Sequence, residues 1–433
     1  MFATYLRTLR EERGLSQRNV AKDLCSRSYL SLIETGKRMP SAVFLVDLAD
    51  KLGGPTDILV GEYIRDPNVS MNQVITLASL LALKGRSAAT LEALSAARAR
   101  VIDSPYRLDY LALADETQGD MHFTESQFRT ALRCYRRALR RYRKTTSRPL
   151  KLARALFKVG NTSIKLGKYW IARVVLTHGY RLISSLEPGS VDHPSGKIHD
   201  LHLRIVQSLG HVLLHRRDFA SASVLYSTAR DYWQENGIEP PAAILLGEGL
   251  TGLGNERLQQ GRVILQKVLL LSSDPIEQTT SLNYLSIIHR LQGRWKEAEA
   301  LLSEALDILR KSNVTQYPHA IQNELARCFL ATGRYDEAAR CLDDIEQNTR
   351  SETNVHPALL VESYLLRGRL CSLQGMRQQA SEILDLASRI TGVSRNMRRL
   401  ILLEKLRTVT DSDSPLVHQL IDDLETELQV GGW

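Results

Sequence analysis

A chain of 433 residues exceeds what one ordinary core supports, so several units or a repeat array are expected. Apolar residues at 43% and charged residues at 24% exclude a wholly disordered chain, and no apolar run approaches the ~18 residues of a membrane helix. The five Cys form no CxxC pair and the opening MFATYLRTLREERG has no apolar leader. A reduced, cytoplasmic protein without a thiolate metal site is expected.

The net charge of +9 is concentrated. Residues 1–70 hold ten Lys/Arg against nine Asp/Glu, whereas residues 133–154 hold ten Lys/Arg and no acid. The remainder has 37 basic and 39 acidic residues, so one segment supplies nearly all of the excess.

The first 65 residues read as short helices. Tyr5, Leu6 and Leu9 share a face, and Gly14 stops that helix. Ser16 caps a second helix, SQRNVAKDL, with Val20, Ala21 and Leu24 inward. A tight link at Cys25-Ser26 leads to SRSYLSLIE, with Leu30 and Ile33 inward, until Gly36 ends it. After Pro40-Ser41, AVFLVDLADKLG closes the unit with Val43, Leu45, Val46, Leu48, Ala49 and Leu52 inward.

Two helices joined by a short turn at a steep angle let the second enter a major groove. The segments LREERGLSQRNVAKDL and SYLSLIETGKRMPS resemble the Xre/Cro-type helix-turn-helix family. One departure is the turn, where L-C-S runs straight through without the usual extra residue, commonly Gly. This shortened turn is similar to that of Rgg/PlcR/NprR-type regulators. The resemblance implies that Gln17 and Arg18 clamp a phosphate, that Arg27, Ser28 and Ser31 face base edges, and that Tyr29, Lys37 and Arg38 lie against the DNA backbone. Glu34 is expected to be structural, satisfying backbone donors or pairing with a nearby Arg. The alternative is a plain helical protein-binding domain. Eight basic against four acidic side chains in residues 1–42 favour double-stranded DNA, bound as a homodimer on two half-sites.

From residue 71 the sequence repeats as helix pairs. Turn positions are assigned to Gly85, Gly119, Gly167, Arg217, Gly254, Gly293, Gly333 and Gly375. Seven residues before each stands a small residue: Ala78, Ala112, Gly160, Gly210, Gly247, Ser286, Ala326 and Gly368. Five after the turn come Thr90, Thr124, Ala172, Ala222, Ala298, Ala338 and Ala380, and two after it Tyr169, Phe219, Trp295 and Tyr335. Small columns let antiparallel helices cross closely, and the aromatic plugs the gap to the neighbour. The fifth pair, with Gln259 and Gln266 in the columns, reads as the weakest, and residues 395–428 as a cap around DSDSP. This tetratricopeptide-like pattern predicts an all-α fold: a helix-turn-helix domain at 1–65, then a right-handed superhelix of about nine helix pairs at 71–433.

The inner wall of such an array comes from the first helix of each pair, at positions ten and six before the turn. This places Gln207, Asn283, Asn323, Asn161, His211, Glu248, Arg327 and Arg369 there, with Arg154 and Arg204 one turn earlier. Asn both donates and accepts, which suits a peptide backbone, and Arg forks onto a carboxylate. A helix-turn-helix followed by these pairs resembles the RRNPP family of peptide-sensing regulators over essentially the whole chain. That resemblance implies cytoplasmic sensing of a short signalling peptide, homodimerisation, and DNA binding that changes with peptide. Of the groove asparagines of that family, Asn161, Asn283 and Asn323 match by position, and His211 departs from it.

In RCYRRALRRYRKTTSRPLKLAR, Arg133, Arg136, Arg137, Arg140, Arg141 and Lys144 form a basic stripe expected to meet DNA phosphates, an acidic protein or a dimer mate. No Gly-rich phosphate loop, HExxH, GxSxG or ligand-spaced His/Cys cluster occurs, so neither an enzyme nor a cofactor is expected. The competing reading is a scaffold that sequesters a protein partner, such as a response regulator.

Overall fold

The computed structural model describes residues 2–408 apart from 54–55, 102–103, 146–148, 187–194, 217, 255–257, 313, 315–317, 352–356, 392 and 394. Among the described residues there is no strand. The helices are α1 (Phe2–Glu12), α2 (Gln17–Ala21), α3 (Arg27–Glu34), α4 (Ala42–Leu52), α5 (Thr56–Arg65), α6 (Met71–Leu83), α7 (Ser87–Arg100), α8 (Arg107–Thr124), α9 (Phe128–Tyr142), α10 (Pro149–Lys165) and α11 (Tyr169–Ser184). They continue as α12 (Ser195–His215), α13 (Phe219–Glu235), α14 (Ala242–Gly254), α15 (Leu258–Leu271), α16 (Pro275–Leu291), α17 (Trp295–Lys311), α18 (Pro318–Ala331), α19 (Tyr335–Ser351), α20 (Pro357–Leu373), α21 (Arg377–Arg389) and α22 (Arg395–Thr408). Two compact units divide the chain, Met1–Ser221 and Ala222–Trp433. The second half of the expected ninth pair, with DSDSP, lies outside the described residues, as do Arg217 and most of the loop at 188–196.

At the start of the first unit, serine caps set the helix entries. The Ser16, Ser26 and Ser41 hydroxyls accept from the N–H groups of Asn19, Tyr29 and Phe44. The second helix is shorter than its sequence pattern predicts. It ends at Ala21, because Asp23 takes a left-handed conformation with φ 66°. The turn therefore runs from Lys22 to Ser26 and does contain a left-handed residue; Asp supplies it in place of the expected Gly. Val43 is 54% exposed rather than inward, while Leu45, Val46, Leu48, Ala49 and Leu52 are buried.

No gap separates these helices from the first pair. One core runs from Phe2 through Leu59, Val60, Leu77 and Leu94 to Ala114. Tyr63 sits edge-on to Phe2 at 5.4 Å and donates to the Pro40 carbonyl at 2.8 Å. Burial pushes its phenol up to about 12. Lys84 reaches Asp50 at 2.5 Å, and Arg100 donates to the carbonyls of Ile64 and Val69. These bonds tie α4 and α5 to the α6–α7 pair.

Gly85, Gly167, Gly293, Gly333 and Gly375 all turn with positive φ, between 68° and 80°, where a Cβ is disfavoured. Gly119 does not. It lies inside α8, and the turn of that pair is at Ser126, with φ 59°. Gly119 stands seven residues before Ser126, so it belongs to the small column in place of Ala112. A Cβ on it would come within 2.5 Å of the Tyr135 ring. Ala131 and Phe128 then take the later column positions, in place of Thr124. The fifth pair also needs a shift of register. Gly249 and Gly261 face one another there, and Gln259 and Gln266 are exposed. It is therefore among the closest crossings rather than the weakest member.

Gly261→Ala tests that crossing. Its Cβ would sit 2.8 Å from the Gly249 carbonyl oxygen, a backbone atom that cannot swing aside. The helix gains about 0.5–1 kcal/mol from Ala, but overpacking costs roughly 1–3 kcal/mol. We expect the urea midpoint to fall. A midpoint that rises would show that α14 and α15 are not in backbone contact.

Candidate nucleic-acid interface and repeat-array cavity

On α3 the apolar side, Leu30 and Ile33, is buried against the core, and the opposite side is open. Arg27 and Ser28 are exposed and Ser31 is half-buried. Arg18, Lys37 and Arg38 are exposed around them, and none of Arg18, Arg27, Lys37 and Arg38 has a carboxylate within 4 Å among the described residues. Arg38 lies over the Tyr29 ring at 5.3 Å, and Tyr29 packs edge-on to Phe44 at 5.4 Å. Tyr29 thus braces the helix and aims Arg38.

Glu34 is the hub beneath this surface. Its carboxylate accepts from Arg10 Nε at 2.5 Å, from a second Arg10 nitrogen at 3.0 Å, and from Gln17 Nε2 at 2.8 Å. Arg10 also donates to the Leu15 carbonyl at 2.9 Å, and its guanidinium pKa is raised chiefly by the bond to Glu34. The expected pairing of Glu34 with an Arg is present. Gln17, expected on a phosphate, is half-buried and donates one amide N–H to Glu34.

The residues expected along the inner wall are divided between the two units and differ in their surroundings. Asn323 is fully buried; its Nδ2 donates to the Leu359 carbonyl at 3.1 Å and its Oδ1 accepts from Ser363 at 2.9 Å. It joins two helices and contacts no groove. Arg154 is held by Glu116 at 2.7 Å and Arg204 by Asp200 at 3.1 Å. Glu248 is buried and paired with Arg230. Gln207 and His211 are exposed, and the His211 ring lies 6.5 Å from that of Tyr169. Asn161 and Asn283 are half-buried, and Asn283 Oδ1 is buried without a hydrogen-bond partner.

Arg327 and Arg369 line one cavity. It has a volume of about 340 Å³ and lies among α16, α18 and α20, lined by Arg290, Trp295, Arg327, Leu330, Tyr335, Leu366 and Arg369 among others. Arg290 is tied to Glu324 at 2.9 Å, and Arg327 to Glu324 at 3.3 Å and to Glu362. Burial pushes the Glu324 carboxyl up, against the pull of Arg290 and Arg327. Arg369 has no such partner among the described residues and is exposed. Three guanidiniums face two carboxylates, beside two aromatic rings and three leucines. An elongated ligand with one anionic end fits that chemistry. Arg290 sits three residues before its turn, outside the positions read as inner wall.

The first unit holds a different cluster. Glu116 accepts from Tyr142 at 3.0 Å and pairs with Arg154 and Lys158, each at 2.7 Å. Burial pushes its carboxyl up, yet Lys158 and Arg154 outweigh that and hold it at about 2. Tyr135 donates to Asp120 at 2.7 Å, and Lys158 reaches Asp120 at 2.7 Å. Glu116 and Asp120 stand ten and six before Ser126, so the corrected register puts them in the wall columns. The basic helix α9 is likewise not free of acid. Buried Asp115 takes Arg141, with Arg137 at 3.6 Å and Arg98 at 3.4 Å.

Comparison with known proteins accords with this geometry. Residues 1–59 match the helix-turn-helix domain family and residues 277–351 the tetratricopeptide repeat family. A comparison with curated protein sequences gave no match. Among solved structures, aspartyl phosphate phosphatase F from Bacillus subtilis is similar at a TM-score of 0.52 and 12% identity, over 90% of this chain and 94% of that one. The apo form of RapI superposes at 0.51 and 14% identity, over 67% and 98%. A tetratricopeptide repeat protein from Parabacteroides merdae does so at 0.50 and 14% identity, over 68% and 98%. At these identities the likeness is one of fold.

Proposed function

We propose that this chain, an N-terminal helix-turn-helix domain followed by tetratricopeptide repeats, is a cytoplasmic transcription regulator of the RRNPP type, whose residues 1–65 read DNA and whose residues 71–433 bind a short peptide that switches that reading. The observation that carries it is the open face of α3. Arg27 and Ser28 stand exposed on the second helix of the motif, bracketed by Arg18, Lys37 and Arg38, while the apolar side and Glu34 are consumed in holding the helix. A protein tether needs no such bracket. Arg27, suited to the O6 and N7 of guanine, would select sequence with Ser28 and Ser31; Arg18, Lys37 and Arg38 would fix register on phosphates, with Tyr29 positioning Arg38. One such domain makes few contacts, so a homodimer on paired half-sites supplies useful affinity.

For the peptide, Arg369 would take the terminal or side-chain carboxylate in the cavity with Arg327 and Arg290, against Trp295 and Tyr335. Asn283, with its unpartnered Oδ1, would meet a backbone N–H. Asn161, Gln207 and His211 are kept as candidate contacts in the first unit.

The test is binding to the DNA upstream of the protein's own coding sequence. Arg27→Ala should cost about 1–3 kcal/mol on the specific site, a loss of roughly 5- to 150-fold, and little on unrelated duplex. Equal affinity of wild type and variant for every duplex would sink the DNA-reading role. For the array, Arg369→Ala should reduce capture of acid-ended peptides from a random library by tenfold or more. Unchanged capture removes the cavity from the account. A second reading, a scaffold that binds a protein segment in the array, draws on the likeness in fold to aspartyl phosphate phosphatase F along 90% of this chain. Specific, Arg27-dependent DNA binding would exclude a scaffold-only role.

A further inference from the structure

We infer that the outer face of α9 is a second DNA-binding surface, one that grips the phosphate backbone without reading sequence. It rests on the DNA-binding reading above but uses different residues. The structure divides the arginines of α9, together with Arg143 at its C-terminal cap, into two sets. Arg137 and Arg141 turn toward buried Asp115. Arg129, Arg133, Arg136, Arg140 and Arg143 are exposed, and none has a carboxylate within 4 Å among the described residues. Their spacing of four, three, four and three residues keeps all five on one side of the helix, along about 21 Å at 1.5 Å per residue.

Unpartnered, this row is unfavourable. Like charges one turn apart repel, and among the described residues no carboxylate lies within 4 Å to offset them. The excess charge of the whole chain is concentrated in residues 133–154, which hold four of these five arginines.

The occupant is identified by what the face lacks. Ala131, Leu132, Cys134, Tyr135, Ala138, Leu139 and Tyr142 are all buried on the opposite side, so the exposed side of α9 offers no apolar anchor. Protein interfaces have an apolar or aromatic centre within a polar rim. A run of guanidiniums with no such centre suits a regular line of phosphates, which the planar fork engages in pairs of hydrogen bonds. The unit that carries the row, Met1–Ser221, also carries the helix-turn-helix.

The test uses the full-length chain. Arg133→Gln, Arg136→Gln and Arg140→Gln are combined in one variant; Gln is a good helix former and these side chains hold no ion pair, so the fold should persist. Wild type, this variant, Arg27→Ala and the combination are titrated with a random-sequence duplex and with the specific site, from 50 to 200 mM salt. The proposal expects the stripe variant to lose affinity for both duplexes by a similar factor of tenfold or more at low salt. The slope of log affinity on log salt should fall by up to about 3. Preference for the specific site should be unchanged. If the stripe variant matches wild type in affinity and slope, the surface does not touch DNA, and retention of an acidic polypeptide by wild type but not the variant would assign it to protein instead. If Arg27→Ala changes nothing while the stripe variant loses binding, the sequence-reading role of α3 fails and this proposal stands. If wild type binds no duplex, both fall.

Discussion

Glu34→Ala is expected to lower the unfolding free energy by about 3–5 kcal/mol and to abolish site-specific DNA binding. Glu34 side-chain exposure is 3% and that of its Arg10 partner 10%, so removing the carboxylate leaves a guanidinium in a nearly closed site. Gln17 loses its acceptor in the same change. The three bonded residues lie on α1, α2 and α3, so one carboxylate joins all three helices. The magnitude comes from the orphaned partner, not from the strength of the pair, because desolvation cancels much of the Coulomb attraction between buried ions. It follows that Arg10→Met combined with Glu34→Leu should recover most of the loss. Urea denaturation followed by circular dichroism measures both variants. A double variant as unstable as Glu34→Ala would show that the pair itself contributes net stability.

The same distinction explains what could be read from the sequence. Serine caps at Ser16 and Ser41, and the glycine turns at Gly85, Gly167, Gly293, Gly333 and Gly375, are local signals, since a hydroxyl before a helix or a Gly at positive φ acts within a few residues. They were enough to establish an all-α chain of helix pairs. Where a non-glycine takes the left-handed conformation the signal vanishes. Asp23 and Ser126 do so, and each displaced an expectation: the length of α2 in the first case, the register of a whole pair in the second. With the second pair out of phase, Glu116 and Asp120 went unrecognised as wall residues.

The inner wall was legible as a face but not as a site, because the partners of several charges lie one repeat away. Arg327 meets Glu362, Arg290 meets Glu324, and Arg154 meets Glu116, at separations of 34 to 38 residues. Within a single repeat Arg290 and Arg154 read as free, and Arg327 shows only Glu324 three residues before it. Neighbouring repeats stack in register, so equivalent columns face each other and neutralise. Asn323 was misread for the same reason: α20 closes over it through Leu359 and Ser363. Arg369 escapes this fate because no acid on α22 meets it.

Stability is expected to fall as the pH drops from about 6.5 to about 4, and His202 is the cause. The His202 imidazole is fully buried on α12, 5.6 Å from the Tyr180 ring, and burial, reinforced by the neighbouring His199, holds its pKa at about 4. A folded-state value below the unfolded one means that the unfolded chain binds the extra proton within this window. Protonation therefore drains the folded state from about 6.5 downward, and has no effect above it. A displacement of 6.5 to about 4 corresponds to roughly 3 kcal/mol at 1.36 kcal/mol per pH unit. Glu116, held at about 2, adds a loss of the same sign, but only below its ordinary value of 4.5. Between pH 6.5 and 5 the lowered histidines drive the decline, His199 and His289 in the same direction as His202, while the raised carboxyls of Glu324 and Asp120 oppose it. Urea midpoints at pH 7.5, 6.5, 5.5 and 5 should decline more steeply for the wild type than for His202→Leu, whatever the absolute stability of the variant. Parallel curves for wild type and variant across this interval would mean that the imidazole is hydrated or carries its proton inside the fold.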